Sequence, residues 1–253
     1  MFSACDVAKK LEDFIPEFIQ LEHRSNIWKV KETSATDIVI SAFCHWSNFQ
    51  VNVDASNELV TGADFEVLFW FPSGKTLTFF IQGKRSDYSS NPKKVLIKRW
   101  SYKELFHKNL NGLQITQILN CCSSPDRIPV YAFFHSRDSQ HDLGLSATGI
   151  QLIHASFIKP ATAPKRNILS TRHYAPNSFP FHKIFCLAET FWNDADMFSR
   201  EVAMITSESD ISPKQLSSED KIAWLSFSDK RDGFRSSVRV VYSVPERLVR
   251  AED

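Results

Sequence analysis

The chain of 253 residues is long for one domain and reads as a single large domain or as one domain with an appendage. Apolar residues make up 43% and aromatics 13%, with 21 Phe against 7 Gly, which supplies a substantial core and excludes a disordered chain. With 30 basic and 29 acidic residues the net charge is +1, so overall charge gives no argument for nucleic acid and any basic surface has to be local.

The opening MFSACDVAKKLEDF has no long apolar stretch, and no run of about 18 apolar residues follows, so neither a signal peptide nor a membrane span is expected. Five Cys with one adjacent pair, Cys121-Cys122, do not form a disulfide pattern; the expectation is reduced thiols in a cytoplasmic protein. Apolar residues at 11, 14, 15, 18, 19 and 21 predict a helix, with Pro16 a candidate start for a second short one. Ser34-Ala-Thr-Asp-Ile-Val-Ile-Ser-Ala-Phe predicts a helix opening at a Ser or Thr cap and burying Ile38, Val39, Ala42 and Phe43.

Residues 65–71 and 76–81, aromatic and β-branched, read as strands whose nearly continuous apolar character implies a sheet covered on both faces. Residues 101–107 and 113–122 read as helices and 128–135 as a third buried strand. The polar stretch 136–149 reads as a loop, and 159–178 (KPATAPKRNILSTRHYAPNS) as a long irregular connection. Phe181-His-Lys-Ile-Phe-Cys reads as a short strand, 189–205 as a helix, the stretch beyond Ser207 as linker-like, and 236–244 as a last strand. This order predicts an α/β fold, a mixed central β-sheet flanked by helices. One domain would span 1–206, with an extension over 207–253 packed on it.

The turn between the first two strands, Pro72-Ser73-Gly74-Lys75-Thr76, invites a phosphate-loop reading. That motif needs Gly where this chain has Phe69, and a helix where Thr76-Leu-Thr-Phe-Phe-Ile follows, so the turn is hairpin chemistry. The polar groups lie at the other end of the hairpin. Asp64 and Glu66 share one strand face, as do Gln82 and Lys84. A four-residue loop (72–75) would point the two pairs to opposite faces; a loop of three or five residues, or a bulge, would bring them together.

Together they would make a metal-assisted phosphodiesterase site. Asp64 offers a hard anionic oxygen for Mg²⁺ or Mn²⁺ and Gln82 a neutral one, while Lys84 stabilises the charge that builds on phosphorus. Glu32 is the candidate carboxylate from the preceding helix. Arg85, Lys93, Lys94, Lys98 and Arg99, interleaved with Tyr88 and Trp100, form a local basic run suited to a phosphate backbone. The plainer alternative is charged strand ends with an Asp64–Lys84 ion pair.

The arrangement Glu32 … Gly62-Ala63-Asp64 … Gln82-x-Lys84 resembles the restriction-endonuclease-like PD-(D/E)XK nucleases, in the subset where Gln precedes x-Lys, as in Mrr-type proteins. More narrowly it resembles an uncharacterised bacterial family with a Glu-x(3)-Thr helix start, then TGAD followed by an aromatic, then QxKR. Here those read Glu32-Thr-Ser-Ala-Thr36, TGADFE and IQGKR, and the likeness continues through QITQIL, IPVYAFFHSR and FPFHKIFC, covering about residues 30–190. Gly83 stands where Ala is usual and Phe65 where Trp is expected.

The resemblance implies a restriction-endonuclease-like fold, with Asp64, Gln82, Lys84 and Glu32 catalytic and Asp64, Gln82 and Glu32 holding the metal. Gln114 or Gln117 would face the site from the following helix, Gln114 as a nucleic-acid contact. The implied activity is a metal-dependent nuclease acting on DNA in preference to RNA, in defence against foreign DNA, as a homodimer or with a regulatory partner. Because this fold also hosts inactive members, the competing class is a non-catalytic module binding nucleic acid or a partner protein. His182 with Cys186, and Cys44-His45, fall short of a zinc set. His182 reads as a core histidine, His135 as a strand-end rim residue, and the basic cluster Lys165-Arg166, Arg172-His173 as a solvated or nucleic-acid-contacting loop.

Overall fold

The computed structural model describes residues 3–25, 30–46, 58–90, 98–102, 104–144, 148–158, 170–215 and 239–242. The chain opens with α1 (Ala4–Ser25) and α2 (Glu32–Trp46). Helix α1 starts at a reciprocal cap, in which Asp6 N donates to Ser3 Oγ and Ser3 N to Asp6 Oδ2. It runs unbroken through Pro16, burying Val7, Leu11, Ile15 and Ile19 along one stripe, so no second helix begins there. Helix α2 starts at Glu32, one turn's fraction earlier than the predicted Ser or Thr cap, and buries Ala35, Val39, Ala42 and Phe43, with Ile38 half-buried.

A short α3 (Glu58–Thr61) precedes the hairpin β1 (Phe65–Trp70) and β2 (Lys75–Arg85). Then follow β3 (Asp87–Ser90) paired with β4 (Lys98–Ser101), β5 (Lys108–Asn109) paired with β6 (Gly112–Leu113), and α4 (Gln114–Cys121). Strand β7 (Arg127–Phe134), α5 (Arg137–Leu143) and β8 (Ile150–His154) come next. The remaining elements are α6 (Thr171–Tyr174), β9 (Phe179–Pro180), α7 (His182–Thr190), α8 (Ala195–Thr206), β10 (Lys214–Gln215) and β11 (Arg239–Tyr242).

The central sheet has the order β11-β1-β2-β7-β8-β9, with β10 against the start of β2. It is mixed: β1–β11 and β2–β7 are parallel, β1–β2, β7–β8 and β8–β9 antiparallel. Phe65, Val67, Phe69, Phe79, Ile81, Val130 and Phe134 face α1, α2, α7 and α8 in the larger core. Phe80, Tyr131, Phe133 and Ile153 pack on the other face against Ile115 and Ile118 of α4 and against Tyr102 and Tyr174. Strand alternation thus feeds two cores, which is why apolar residues lie on both faces of these strands.

Several expectations give way to the structure. Residues 136–149 are no simple loop: Ser136 Oγ accepts from Ser139 N and caps α5. Residues 101–107 are not a helix; Ser101 ends β4, and 104–106 form a turn with Leu105 buried. The predicted strand at 181–186 is the start of α7, because a short apolar run bears no period that separates strand from buried helix. The helix expected over 189–205 is divided, α7 ending at Thr190 and Asp194 Oδ1 capping α8 through Met197 N. Strand β8 was not anticipated. Cys5 and Cys186 are joined by a disulfide across 181 residues, against the expectation of uniformly reduced thiols; Cys121 and Cys122 are free. No helix among the described residues is long and apolar enough to cross a membrane.

Candidate functional site

The hairpin closes with a three-residue loop, 72–74: Trp70 pairs with Thr76 and Phe71 N donates to Lys75 O at 2.9 Å. Continued outward, this register sets Phe65 beside Ile81 and carries Asp64 to Gln82. Of the registers left open by the sequence, this is a converging one. Asp64 Oδ2 accepts from Gln82 Nε2 at 2.9 Å and from Gly83 N at 2.8 Å. Lys84 turns to α2 instead: its Nζ lies 2.9 Å from Glu32 Oε1, and Glu32 Oε2 accepts from Arg85 N at 3.1 Å. The plain alternative, an Asp64–Lys84 pair, is replaced by a Glu32–Lys84 pair with Asp64 hydrogen-bonded alongside.

Two glycines make the close approaches. A Cβ on Gly83 would lie 2.9 Å from Thr36 Oγ1, 2.9 Å from a ring carbon of Phe134 and 3.1 Å from Asp64 Oδ2. The position thus lets α2 and Asp64 close over the strand, and it brings the Glu32-x(3)-Thr36 segment onto the site. Gly62, at φ +69°, sits where a Cβ would be 2.6 Å from Gln114 O and 3.0 Å from Ile118 N, so the turn into Asp64 rests directly on the start of α4.

Glu32, Asp64, Lys84 and Arg85 line a half-open cleft of about 370 Å³ with Lys31, Thr33, Glu58, Asp87, Glu104, His107 and Gln114. Burial pushes the Asp64 carboxyl up from its usual 3.8 to about 7; Lys84 and the Gly83 N–H oppose the rise, and Glu32 and Glu58 add to it. Tyr131, beside Gln82 on β7, has a buried hydroxyl with no partner among the described residues, and burial followed by Asp64 and Glu32 raises its pKa. Neither Glu58 nor Tyr131 was predicted. Position −6 from Asp64 carries no pattern, and Tyr131 becomes a site neighbour only through the parallel β2–β7 pairing.

The other predicted residues divide. Gln114 faces the cleft, its Nε2 on Glu58 Oε1 at 2.6 Å, whereas Gln117 is engaged reciprocally with Asn109 and does not. Arg85 is held inward, its guanidinium on Glu22, Asp87 and Val30 O, with only 9% of the side chain exposed, so it presents no free fork to a phosphate. Lys93, Lys94, Lys165, Arg166 and the side chains of Lys98, Arg99, Cys44 and His45 lie outside the described residues. Arg172 pairs with Asp142 on the surface. His135 is buried rather than at a rim, between Tyr102 Oη and Ser139 Oγ. His182 Nδ1 meets the buried Glu12, and the disulfide removes Cys186 as a ligand.

A hard divalent cation needs oxygen donors that are not already satisfied. Among the described residues, no group of three His, Cys, Asp or Glu side chains is placed to hold one. Amide oxygens supply the shortfall. Gln82 and Gln114 are 1% and 2% exposed, and in each Oε1 is buried without a partner among the described residues. With the carboxylates of Asp64 and Glu58 beside them, the donor set fits such a cation.

No curated protein and no solved structure matches the chain. A family model, described as a family of unknown function (DUF6615), matches residues 4–244, both cores and the last strand included.

Proposed function

The chain belongs to the family of unknown function DUF6615, and for this member we propose a metal-dependent phosphodiesterase with a restriction-endonuclease-like fold, cutting DNA. The observation that carries the proposal is the convergence of Asp64, Gln82, Lys84 and Glu32 at one end of the β1–β2 hairpin, beside a cleft rich in carboxylates. Mg²⁺ or Mn²⁺ on Asp64, with Gln82 and Glu32 as the further ligands expected from sequence, would activate water and offset charge on the scissile phosphate.

The chain's own residues do the rest. The Gly83 N–H and Gln82 amide fix the Asp64 carboxylate, and burial keeps that carboxylate basic enough to compete for a cation or a proton near neutrality. Glu32 orients the ammonium of Lys84, whose side chain is 3% exposed, at the strand end where the phosphate would sit. Incubating plasmid and single-stranded DNA with Mg²⁺ or Mn²⁺ tests this, alongside Asp64→Ala and Lys84→Ala. The expected result is cleavage by wild type alone; cleavage persisting in both variants eliminates the site.

A second reading is favoured by one detail. Gln82 presents its amide nitrogen to Asp64, and Glu32 closes on Lys84, so the four side chains pair with one another as in a structural polar network. On that reading the fold is an inactive module binding nucleic acid or a partner protein, and wild type cuts nothing with either metal.

A further inference from the structure

We propose that the divalent cation of this cleft is held by Glu58 and Gln114 together with Asp64, in place of Glu32. This rests on the phosphodiesterase reading and changes its ligand set.

Glu32 is a poor ligand as placed. One carboxylate oxygen is on Lys84 Nζ and the other on Arg85 N, so coordinating a cation would break an ion pair and strand a buried ammonium. Glu58 has no cationic partner among the described residues. Its contact is the neutral Gln114 amide at 2.6 Å, and it lies close enough to Asp64 to raise that carboxyl. Gln114 is 2% exposed, lines the cleft, and has an Oε1 that is buried with no donor among the described residues. A buried acceptor left bare is costly, and a cation held by the neighbouring carboxylates would satisfy it.

The backbone is arranged for this juxtaposition. Gly62 allows the chain to cross the start of α4 at a distance no Cβ permits, and Glu58 on α3, Asp64 and Gln114 line the same cleft. Asn111 Nδ2 holds Leu59 O at 2.7 Å and anchors α3 there. The pattern Glu58-x(5)-Asp64 with Gln114 thus explains the glycine of TGAD as a device for a three-residue ligand set.

Mn²⁺ binding by isothermal titration and by loss of the free-ion electron-resonance signal tests the assignment without reference to turnover. Wild type is compared with Glu58→Gln, Gln114→Glu and Asp64→Asn, each shown to be folded by its melting curve. Asp64→Asn should abolish binding, Glu58→Gln weaken it at least about tenfold, and Gln114→Glu, which exchanges a neutral oxygen for an anionic one, tighten it. Wild-type affinity in Glu58→Gln with loss in Asp64→Asn would overturn this ligand set and leave the phosphodiesterase reading standing. Absence of tightening in Gln114→Glu would remove Gln114 from the set. No Mn²⁺ binding by wild type at millimolar metal would overturn both.

Discussion

Replacing Lys84 by Met removes the cation that pairs with Glu32 while keeping most of the apolar stem. The Lys84 side chain is 3% exposed and that of Glu32 26%, so the pair is buried at one end and wet at the other. Removing one member of a fully buried pair costs about 3–5 kcal/mol, because the remaining charge is uncompensated. Glu32 can recover some hydration and keeps its bond from Arg85 N, so the expected loss is smaller, about 2–3 kcal/mol. For a chain of this length that is roughly a 4–12 °C fall in melting temperature. Glu32→Gln with Lys84→Met removes both charges, and the double variant should melt above Lys84→Met alone, giving a coupling of at least about 1 kcal/mol in a double-mutant cycle. Thermal and urea unfolding of the four proteins measure it. Additive losses would show that the pair is not coupled, and the orientation of Lys84 by Glu32 would fall with it.

Three other outcomes follow from the same geometry. The Asp64 carboxyl titrates near 7 when folded against 3.8 otherwise, so the folded chain holds a proton that the unfolded chain releases; its contribution to stability falls as pH rises from about 4 to about 7 and is level above. Asp64→Asn should flatten that part of the stability profile, and the rise in melting temperature caused by Mn²⁺ should grow through pH 7 in wild type, as proton and cation compete. Gly62→Ala places a Cβ 2.6 Å from Gln114 O at a positive φ, and should cost about 1–3 kcal/mol and weaken Mn²⁺ binding, both read by calorimetry. The Cys5–Cys186 bridge closes a long loop between α1 and α7, so reduction, or Cys5→Ser, should lower stability by about 2–5 kcal/mol, and alkylation should reach both thiols only after reductant.

The strands of the hairpin were legible because aromatic and β-branched runs of six or more leave few alternatives, and the chemistry-bearing positions on them were legible because side chains alternate strictly. Register was not. It depended on whether Lys75 belonged to the turn or to β2, a choice between a three- and a four-residue loop that Pro-Ser-Gly-Lys leaves open. The pairing of Lys84 was hidden for another reason: Asp64 and Glu32 are equally plausible anions in one dimension, and only the entry angle of α2 selects Glu32. Arg85 was misjudged because a basic residue beside a basic run looks solvated, whereas Glu22, far earlier on α1, draws it inward. Long-range pairs of this kind, like the disulfide, carry no local signal. Residues 181–186 failed in the opposite way: a local apolar pattern was present but fits either a buried strand or a buried helix.

Charge in the cleft decides how nucleic acid would have to enter. Its lining includes the carboxylates Glu32, Glu58, Asp64, Asp87 and Glu104 against the cations Lys31, Lys84 and Arg85. Lys84 is neutralised by Glu32, and Arg85 by Glu22 and Asp87. What faces an incoming phosphate is therefore a negative surface, and bringing another anion to it is repulsive until a divalent cation lies between. Binding should then be ordered, cation before DNA. A short labelled duplex titrated at fixed ionic strength should bind Asp64→Asn equally with and without Mn²⁺, and wild type far more tightly with it. Equal wild-type affinity in chelator and in Mn²⁺ would mean that the duplex docks elsewhere, with the 93–99 basic stretch the first place to look, and that the cleft's carboxylates take no part in holding it.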